Sequence, residues 1–311
     1  MTRILIALGI LAALAALCCL ESFALLLAAE RRKRPRDLTS ESLEGTRFEK
    51  YAANIISDVE AMRALPWEDV FIASFDNTRL HARLLRGSAE AVVLVHGYHS
   101  SPENDFAGIA QWYASRGMTV LAVDQRAHGL SGGRRLTFGG RERRDVLAWA
   151  QYAEHGLGAE RIWLHGVSMG ASTLLYAMGE GLPERVRGVV ADCPFDEPVT
   201  LLAMHLKKRA GLPAFPLIKP CAGPAWRLLN DMPAGYTCHE AAAKSETPLL
   251  LLEAGEDGTV PPGSAAAIRA GRNNRDAQVT FPHAHHALCW QEDSEKYAEA
   301  IEHFLNRTRG G

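Results

Sequence analysis

The sequence predicts an α/β protein built on a mostly parallel, doubly wound sheet, with a membrane-spanning helix ahead of it. Three observations carry this. Short apolar runs alternate with helix-patterned stretches from Glu68 onward; strands apolar on both faces and separated by helices imply a parallel sheet covered on both sides. The pentapeptide Gly166-Val167-Ser168-Met169-Gly170 joins one such run to a helix pattern. Ile4 to Ala29 is apolar apart from Glu21 and Ser22.

That first stretch sets the organisation of the N-terminus. A helix of this length reaches roughly 39 Å, against a hydrocarbon core of about 30 Å, so it can span with tilt or with one end in the headgroups. A cleavable signal peptide would have a shorter apolar region with more positive charge before it, whereas Arg31, Arg32, Lys33, Arg34 and Arg36 lie behind. Lipid attachment at Cys18 or Cys19 would need a small residue before the cysteine, and Leu17 precedes Cys18. An uncleaved anchor over residues 1–30 is therefore expected, and the basic block places the body in the cytoplasm by the positive-inside rule. The six cysteines show no metal-ligand spacing and agree with a reducing compartment. With 311 residues and a net charge of −2, the chain is long enough for one large domain and carries no signal for nucleic acid.

Residues 31–67 read as a basic juxtamembrane segment followed by an amphipathic helix. Phe48, Tyr51, Ile55, Val59 and Met62 recur at three- and four-residue steps, one apolar face that either docks on the body or lies on the membrane; docking is favoured, since the opposite face is not strongly basic. The body follows over 68–311. Val70 to Phe75 and Arg79 to Arg86 flank Asp76-Asn77 as a hairpin; further runs are Ala91 to Val95, Thr119 to Val123, Arg161 to Leu164, Val186 to Ala191, Pro248 to Glu253 and Ala277 to Phe281. Helices are expected near Glu103 to Arg116, Arg141 to His155, Ala171 to Gly179, Ser264 to Ala270 and Ser294 to Arg307.

In such sheets ligands gather at the carboxyl ends of the strands. A Gly-x-Ser-x-Gly between strand and helix puts its serine on a sharp turn, exposed and near the unpaired N–H groups of a helix start, which a weak hydroxyl nucleophile requires. Ser168 is thus the candidate nucleophile. The third run ends in His96-Gly97-Tyr98, and the backbone N–H groups of Tyr98 and Met169 are assigned to the oxyanion hole. His96 precedes the nucleophile, the wrong order for the base, and is read as a brace for its loop. The loop Asp124 to Gly133 is read as a rigid turn in which Asp124 and Arg126 pair or cap the backbone beneath the site.

A serine nucleophile in this architecture needs an acid and then a base further along. The seventh run ends in an acidic turn, where Asp257 is chosen over Glu256, with Asp192 as a third candidate. The eighth run ends with His283, His285 and His286. Their spacing makes no i, i+4 metal pair and no carboxylates accompany them, so no metal and no cofactor are expected; one of the three is the general base.

Taken together, His96-Gly97, Asp124-x-Arg126-x-His128-Gly129-x-Ser131-x-Gly133, Gly166-x-Ser168-x-Gly170, Gly255-x-Asp257-x-x-Val260-Pro261 and Ala284-x-His286-Ala287 resemble the α/β-hydrolase superfamily. Within it the chain is most similar to membrane-anchored bacterial hydrolases of the serine aminopeptidase/monoacylglycerol lipase-like group. The resemblance covers about Glu68 to Leu305. It implies His286 as the base, with His285 as the fallback, and a cap over about 193–243. Many relatives have glycine where this chain has Ala127.

The cap stretch is rich in apolar residues, among them Leu201, Leu206, Leu212, Phe215, Leu217, Ile218 and Trp226, which either pack the cap or line an acyl pocket. Lys207, Lys208 and Arg209 touch anionic lipid or form a solvated helix end. The expected activity is hydrolysis of a carboxylic ester or related acyl bond through an acyl-enzyme on Ser168. Its substrate is a small acyl ester or lipid, and the membrane is a partner through the N-terminal helix. The same triad serves a thioesterase or peptidase, and a non-catalytic interaction protein on this fold is the alternative from another class; intact Ser168, Asp257 and His286 argue against the last.

Overall fold

Each of the eight apolar runs forms a strand in a computed structural model, which describes residues 2–210, 226–233, 235–270, 272 and 276–310. The strands are β1 (Glu68–Ala73), β2 (Arg79–Leu85), β3 (Glu90–Val95), β4 (Thr119–Asp124), β5 (Arg161–Val167), β6 (Val186–Asp192), β7 (Leu249–Ala254) and β8 (Ala277–Phe281). They lie in one sheet in the order β1-β2-β4-β3-β5-β6-β7-β8. The β1–β2 and β2–β4 pairs are antiparallel and all the others parallel.

The antiparallel edge follows from the turn chemistry at Asp76-Asn77. Asn77 takes φ 60°, tolerable for asparagine, and the Ser74 N–H donates to the Thr78 carbonyl at 2.9 Å, reversing the chain. Where the connections are helical the strands run parallel, and they are buried on both faces: every residue of β4 is buried, as are the last five of β3.

Two apolar layers cover the sheet. One gathers Leu121, Val123, Leu164, Leu174, Leu175 and Trp149; the other gathers Val92, Leu94, Phe106, Tyr113, Ile301 and Phe304. The helices that supply them are α4 (Pro102–Ser115), α5 (Glu142–Gln151), α6 (Met169–Met178) and the C-terminal helix Ser294–Thr308, all within a few residues of the stretches read from periodicity.

Ahead of the sheet, α1 (Thr2–Ala29) contains Ile4–Ala29, whose mean hydropathy is 2.6, long and apolar enough to cross a membrane by length and composition. Its large apolar side chains from Ile4 to Leu20 are more than half exposed, but Leu26 and Glu30 are buried against the body. The chain then runs as an added edge along residues 134–136: the Arg32 N–H donates to the Arg134 carbonyl and the Leu136 N–H to that of Glu30. After α2 (Ser40–Leu43) comes α3 (Ala52–Arg63), which buries Ile55, Val59 and Met62 and packs along α4. The amphipathic face therefore docks on the body.

Within 193–243, the helix Pro198–Ala210 sets Leu201, Leu202 and Leu206 against the first apolar layer. Trp226 is buried beside Phe138, with ring centroids 6.0 Å apart. Lys208 is exposed and donates to the Gly258 carbonyl at 3.4 Å. Leu212, Phe215, Leu217, Ile218 and Cys221 lie outside the described residues.

Candidate active site

The site is assembled where neighbouring strands end together. Gly166 of β5 is in register with Val95 of β3 and Ala191 of β6, so the loops leaving all three strands meet at one edge. At that edge Ser168 takes φ 55° and ψ −118°, a conformation that costs a side-chain-bearing residue of order 1–3 kcal/mol. Its N–H is held by the Asp192 carbonyl at 2.7 Å. The flanking glycines are demanded by space: a Cβ on Gly170 would stand 1.9 Å from the Val95 carbonyl oxygen, and one on Gly166 would stand 2.5 Å from the Gly170 carbonyl carbon.

The Ser168 Oγ lies 2.7 Å from Nε2 of His286, whose Nδ1 lies 2.6 Å from Oδ2 of Asp257. Two backbone bonds align these loops: the Gly255 N–H donates to the Phe281 carbonyl at 2.8 Å and the Glu256 N–H to that of Ala284 at 3.0 Å. The other Asp257 oxygen accepts the N–H groups of Thr259 and Val260, at 2.8 and 2.9 Å. Burial raises the Asp257 carboxyl, but His286 and these two amides outweigh it and hold the group below its usual range. Burial likewise opposes protonation of His286, yet the Asp257 carboxylate and the neighbouring Cys193 sulfur lift it to about 9.

The alternative acids and bases lie elsewhere. Asp192 is buried and accepts the Tyr297 hydroxyl at 2.9 Å. Glu256 faces His283 and His285, each 3.7 Å away at the surface. His285 has its Nδ1 on the Glu256 carbonyl at 3.1 Å. His96 braces its loop as expected: Nδ1 donates to the Gly97 carbonyl at 2.8 Å and Nε2 accepts the Gln125 N–H at 3.1 Å.

The loop that carries Tyr98 presses against the nucleophile, since a Cβ on Gly97 would stand 3.3 Å from Cβ of Ser168. Met169 opens α6, so its N–H belongs to the first turn and has no partner within the helix. The loop of Tyr98 and the first residue of α6, Met169, thus both adjoin Ser168. Beneath them lies a residue whose role periodicity does not reveal. Asp105, in the first turn of α4, accepts the Gly97 N–H and the Ser100 hydroxyl, both at 2.6 Å. In the sequence it reads as an ordinary first-turn acid, a position favoured by the helix dipole.

Of the two roles expected of Asp124 and Arg126, the mutual pairing is not found, while Asp124 does cap the backbone of its own loop. Asp124 pairs with His81 at 2.7 Å and accepts the Leu130 N–H, whereas Arg126 holds Asp145 through two bonds of 2.6 and 2.7 Å and reaches Asp76 at 3.0 Å. Both side chains lie two apart on one strand-end loop, but their ionic partners come from β2, from the turn between β1 and β2 and from α5, all distant in sequence. Ala127, where many relatives carry glycine, has φ 60°.

A cavity of about 360 Å³ opens over Ser168 and His286. Its described lining comes from Gly97–Ser100, from α4, from Thr259 and the stretch after His286, and from the juxtamembrane segment, through Arg36, Leu38, Leu43, Arg47, Phe48 and Ile55. None of the described residues of 193–243 lines it. The covering role expected of the late insertion is therefore shared by a segment that the sequence showed only as a docked helix. Metal-type donor atoms of Cys193, Asp257 and His286 approach within 4.8 Å of one another, but those of Asp257 and His286 already face each other.

A family described as the alpha/beta hydrolase fold matches residues 90–216. Over 223 residues, 69% of this chain and 70% of the relative, the chain is 26% identical to the uncharacterized protein YqkD of Bacillus subtilis. A thermostable monoacylglycerol lipase of Bacillus sp. strain H-257 is 24% identical over 240 residues, covering 70% of this chain and 91% of that protein. Among solved structures, the Pyrococcus furiosus esterase Pf2001 superposes with a TM-score of 0.67 at 25% identity, covering 80% of this chain and 93% of the esterase. These likenesses support the α/β-hydrolase superfamily, and the fold is that of an α/β hydrolase.

Proposed function

We propose that this chain, an α/β hydrolase by fold, is a membrane-tethered serine hydrolase that cleaves a carboxylic ester through an acyl-enzyme on Ser168. The likeness to an esterase and a monoacylglycerol lipase supports ester hydrolysis. The observation that carries the reading is the continuous contact from Asp257 through His286 to Ser168, at 2.6 and 2.7 Å.

In this reading neutral His286 takes the hydroxyl proton at Nε2 while Oγ attacks the ester carbonyl carbon, and Asp257 holds the imidazolium that forms. The carbonyl oxygen becomes an oxyanion facing the N–H groups of Tyr98 and Met169. Collapse breaks the bond to the alcohol, which leaves with the proton from His286. Water then repeats the sequence on the acyl-enzyme and releases the acid. The apolar stretch Ile4–Ala29 is the tether, and the basic block after it keeps the body on the cytoplasmic side.

The test is labelling by a fluorophosphonate probe, which phosphonylates an activated serine. Wild-type protein should label and Ser168→Ala, shown to be folded by circular dichroism, should not; label retained in the variant overturns the assignment. Esterase turnover should fall by about 10⁶-fold in the same variant.

A further inference from the structure

The wall of the cavity opposite Ser168 is built by the segment that leaves the apolar helix, and its composition bears on the substrate. Leu43, Tyr51, Ile55 and Leu288 form a small apolar cluster of their own, with Leu38, Phe48 and Ile56 packed around it. Leu288 stands two residues past His286, so this cluster fastens the segment directly onto the loop of the base. Pro35 to Ile55 is thereby fixed as a roof rather than left as a linker.

Two cations belong to that roof. Arg47 gives one hydrogen bond, to the Thr259 hydroxyl at 2.9 Å, and stacks over Phe48 at 4.9 Å. Arg36 reaches only the Ser42 carbonyl, at 3.5 Å. Among the described residues neither has a carboxylate within ion-pair distance, although acids are near. Each of those is committed elsewhere. Glu103 is bound by Arg63 and Arg83, at 2.7 and 2.9 Å; Asp105 is taken by Gly97 and Ser100; Asp257 is taken by His286. A guanidinium offers five N–H donors in a planar fork suited to carboxylate and phosphate. Two of them line one cavity with the nucleophile and have most donors unspent.

We propose that Arg36 and Arg47 receive an anionic group of the substrate, a carboxylate or phosphate, while Leu38, Phe48 and Ile55 cover its apolar part. This rests on the serine-hydrolase reading and adds the substrate class: an amphiphilic ester that carries a negative charge.

The full-length chain in detergent micelles tests it with two matched ester pairs. 4-Nitrophenyl hemisuccinate against 4-nitrophenyl butyrate puts the charge on the acyl side, and a lysophosphatidate against the monoacylglycerol of the same chain puts it on the alcohol side. In one pair the anionic ester should have the higher kcat/KM. Arg47→Gln should lower that anionic-to-neutral ratio by about tenfold or more, mainly through KM, with Arg47→Lys intermediate and Arg36→Gln acting in the same direction. Added salt should raise KM for the anionic ester selectively. Ser168-dependent hydrolysis with no anionic preference in either pair, or a ratio unmoved by both substitutions, overturns the anion site alone. Absence of Ser168-dependent hydrolysis of all four esters overturns the serine-hydrolase reading on which it rests.

Discussion

The Tyr98 hydroxyl donates to the Ala29 carbonyl at 2.6 Å, fastening the loop beside the nucleophile to the last turn of the apolar N-terminal helix. The next residue repeats the connection, His99 Nε2 donating to the Arg31 carbonyl at 3.0 Å. Arg32 adds guanidinium bonds to the carbonyls of Ser131 and Gly129. The helix end is thus hydrogen-bonded into the framework of the site.

Tyr98→Phe removes that bond while keeping the ring stacked on Phe138, 5.3 Å away. A loss of about 0.5–1.5 kcal/mol in stability is expected. Because the clamp holds the loop of the proposed oxyanion donor, kcat should fall several-fold with KM little changed. Lower stability with unaltered kcat would make the bond a structural clamp only.

Replacing Asp257 by Asn should lower kcat/KM by about 10⁴-fold, since the base loses its preferred tautomer and the partner of its imidazolium. His286 must be neutral to accept the serine proton, so activity should rise with pH towards its value of about 9. In Asp257→Asn the residual activity should rise at lower pH, because burial then acts with less opposition. Stopped-flow hydrolysis across a pH series reads both; an acid limb that stays in place would separate Asp257 from the titration.

The same shift carries a stability term of opposite pH trend to the activity. His286 binds its proton more tightly folded than unfolded, from 6.5 up to about 9. Its contribution is present below the unfolded value and is lost as pH rises through the folded one. Wild-type protein should therefore lose thermal stability between those limits by more than His286→Gln does, as followed by thermal melts in matched buffers.

Gly170→Ala places a Cβ 1.9 Å from the Val95 carbonyl oxygen. Neither the α6 backbone nor β3 can yield without shifting the centre of the sheet, so a loss of about 3 kcal/mol or more is expected. Urea denaturation gives the measurement. A loss below about 1 kcal/mol would mean that the elbow relaxes freely.

Asp145→Ala leaves the Arg126 guanidinium, whose side chain is 4% exposed, with Asp76 as its remaining carboxylate partner. A buried charge left wholly unpaired costs about 3–5 kcal/mol, so losing the bidentate partner while Asp76 remains should cost part of that. The Asp145→Ala/Arg126→Met double variant should recover much of that loss, and a double variant as unstable as the single one would assign the cost to packing instead.

The strands, their helices and the apolar span were legible because each is a local pattern: runs buried on both faces, three- and four-residue steps, or uninterrupted hydropathy. The elbow was equally legible, for its glycines and serine lie within five residues. Less was visible among neighbours. Glu256 and Asp257 are adjacent, as are His285 and His286, and periodicity does not say which member of each pair turns inward at a strand end. The choice of His286 came from resemblance, and the contacts that single it out join residues 118 and 29 positions apart.

What the sequence determined by itself was the set of elements and their kind, since these depend on side chains near one another along the chain. What the tertiary structure decided was which elements meet. Arg126 finds Asp145, Asp105 finds Gly97, and the segment carrying Arg36 and Arg47 comes to roof Ser168. The physical reason is that hydropathy and turn chemistry fix how one element presents its own face, whereas the partner of that face is chosen by the closing of the whole sheet around it.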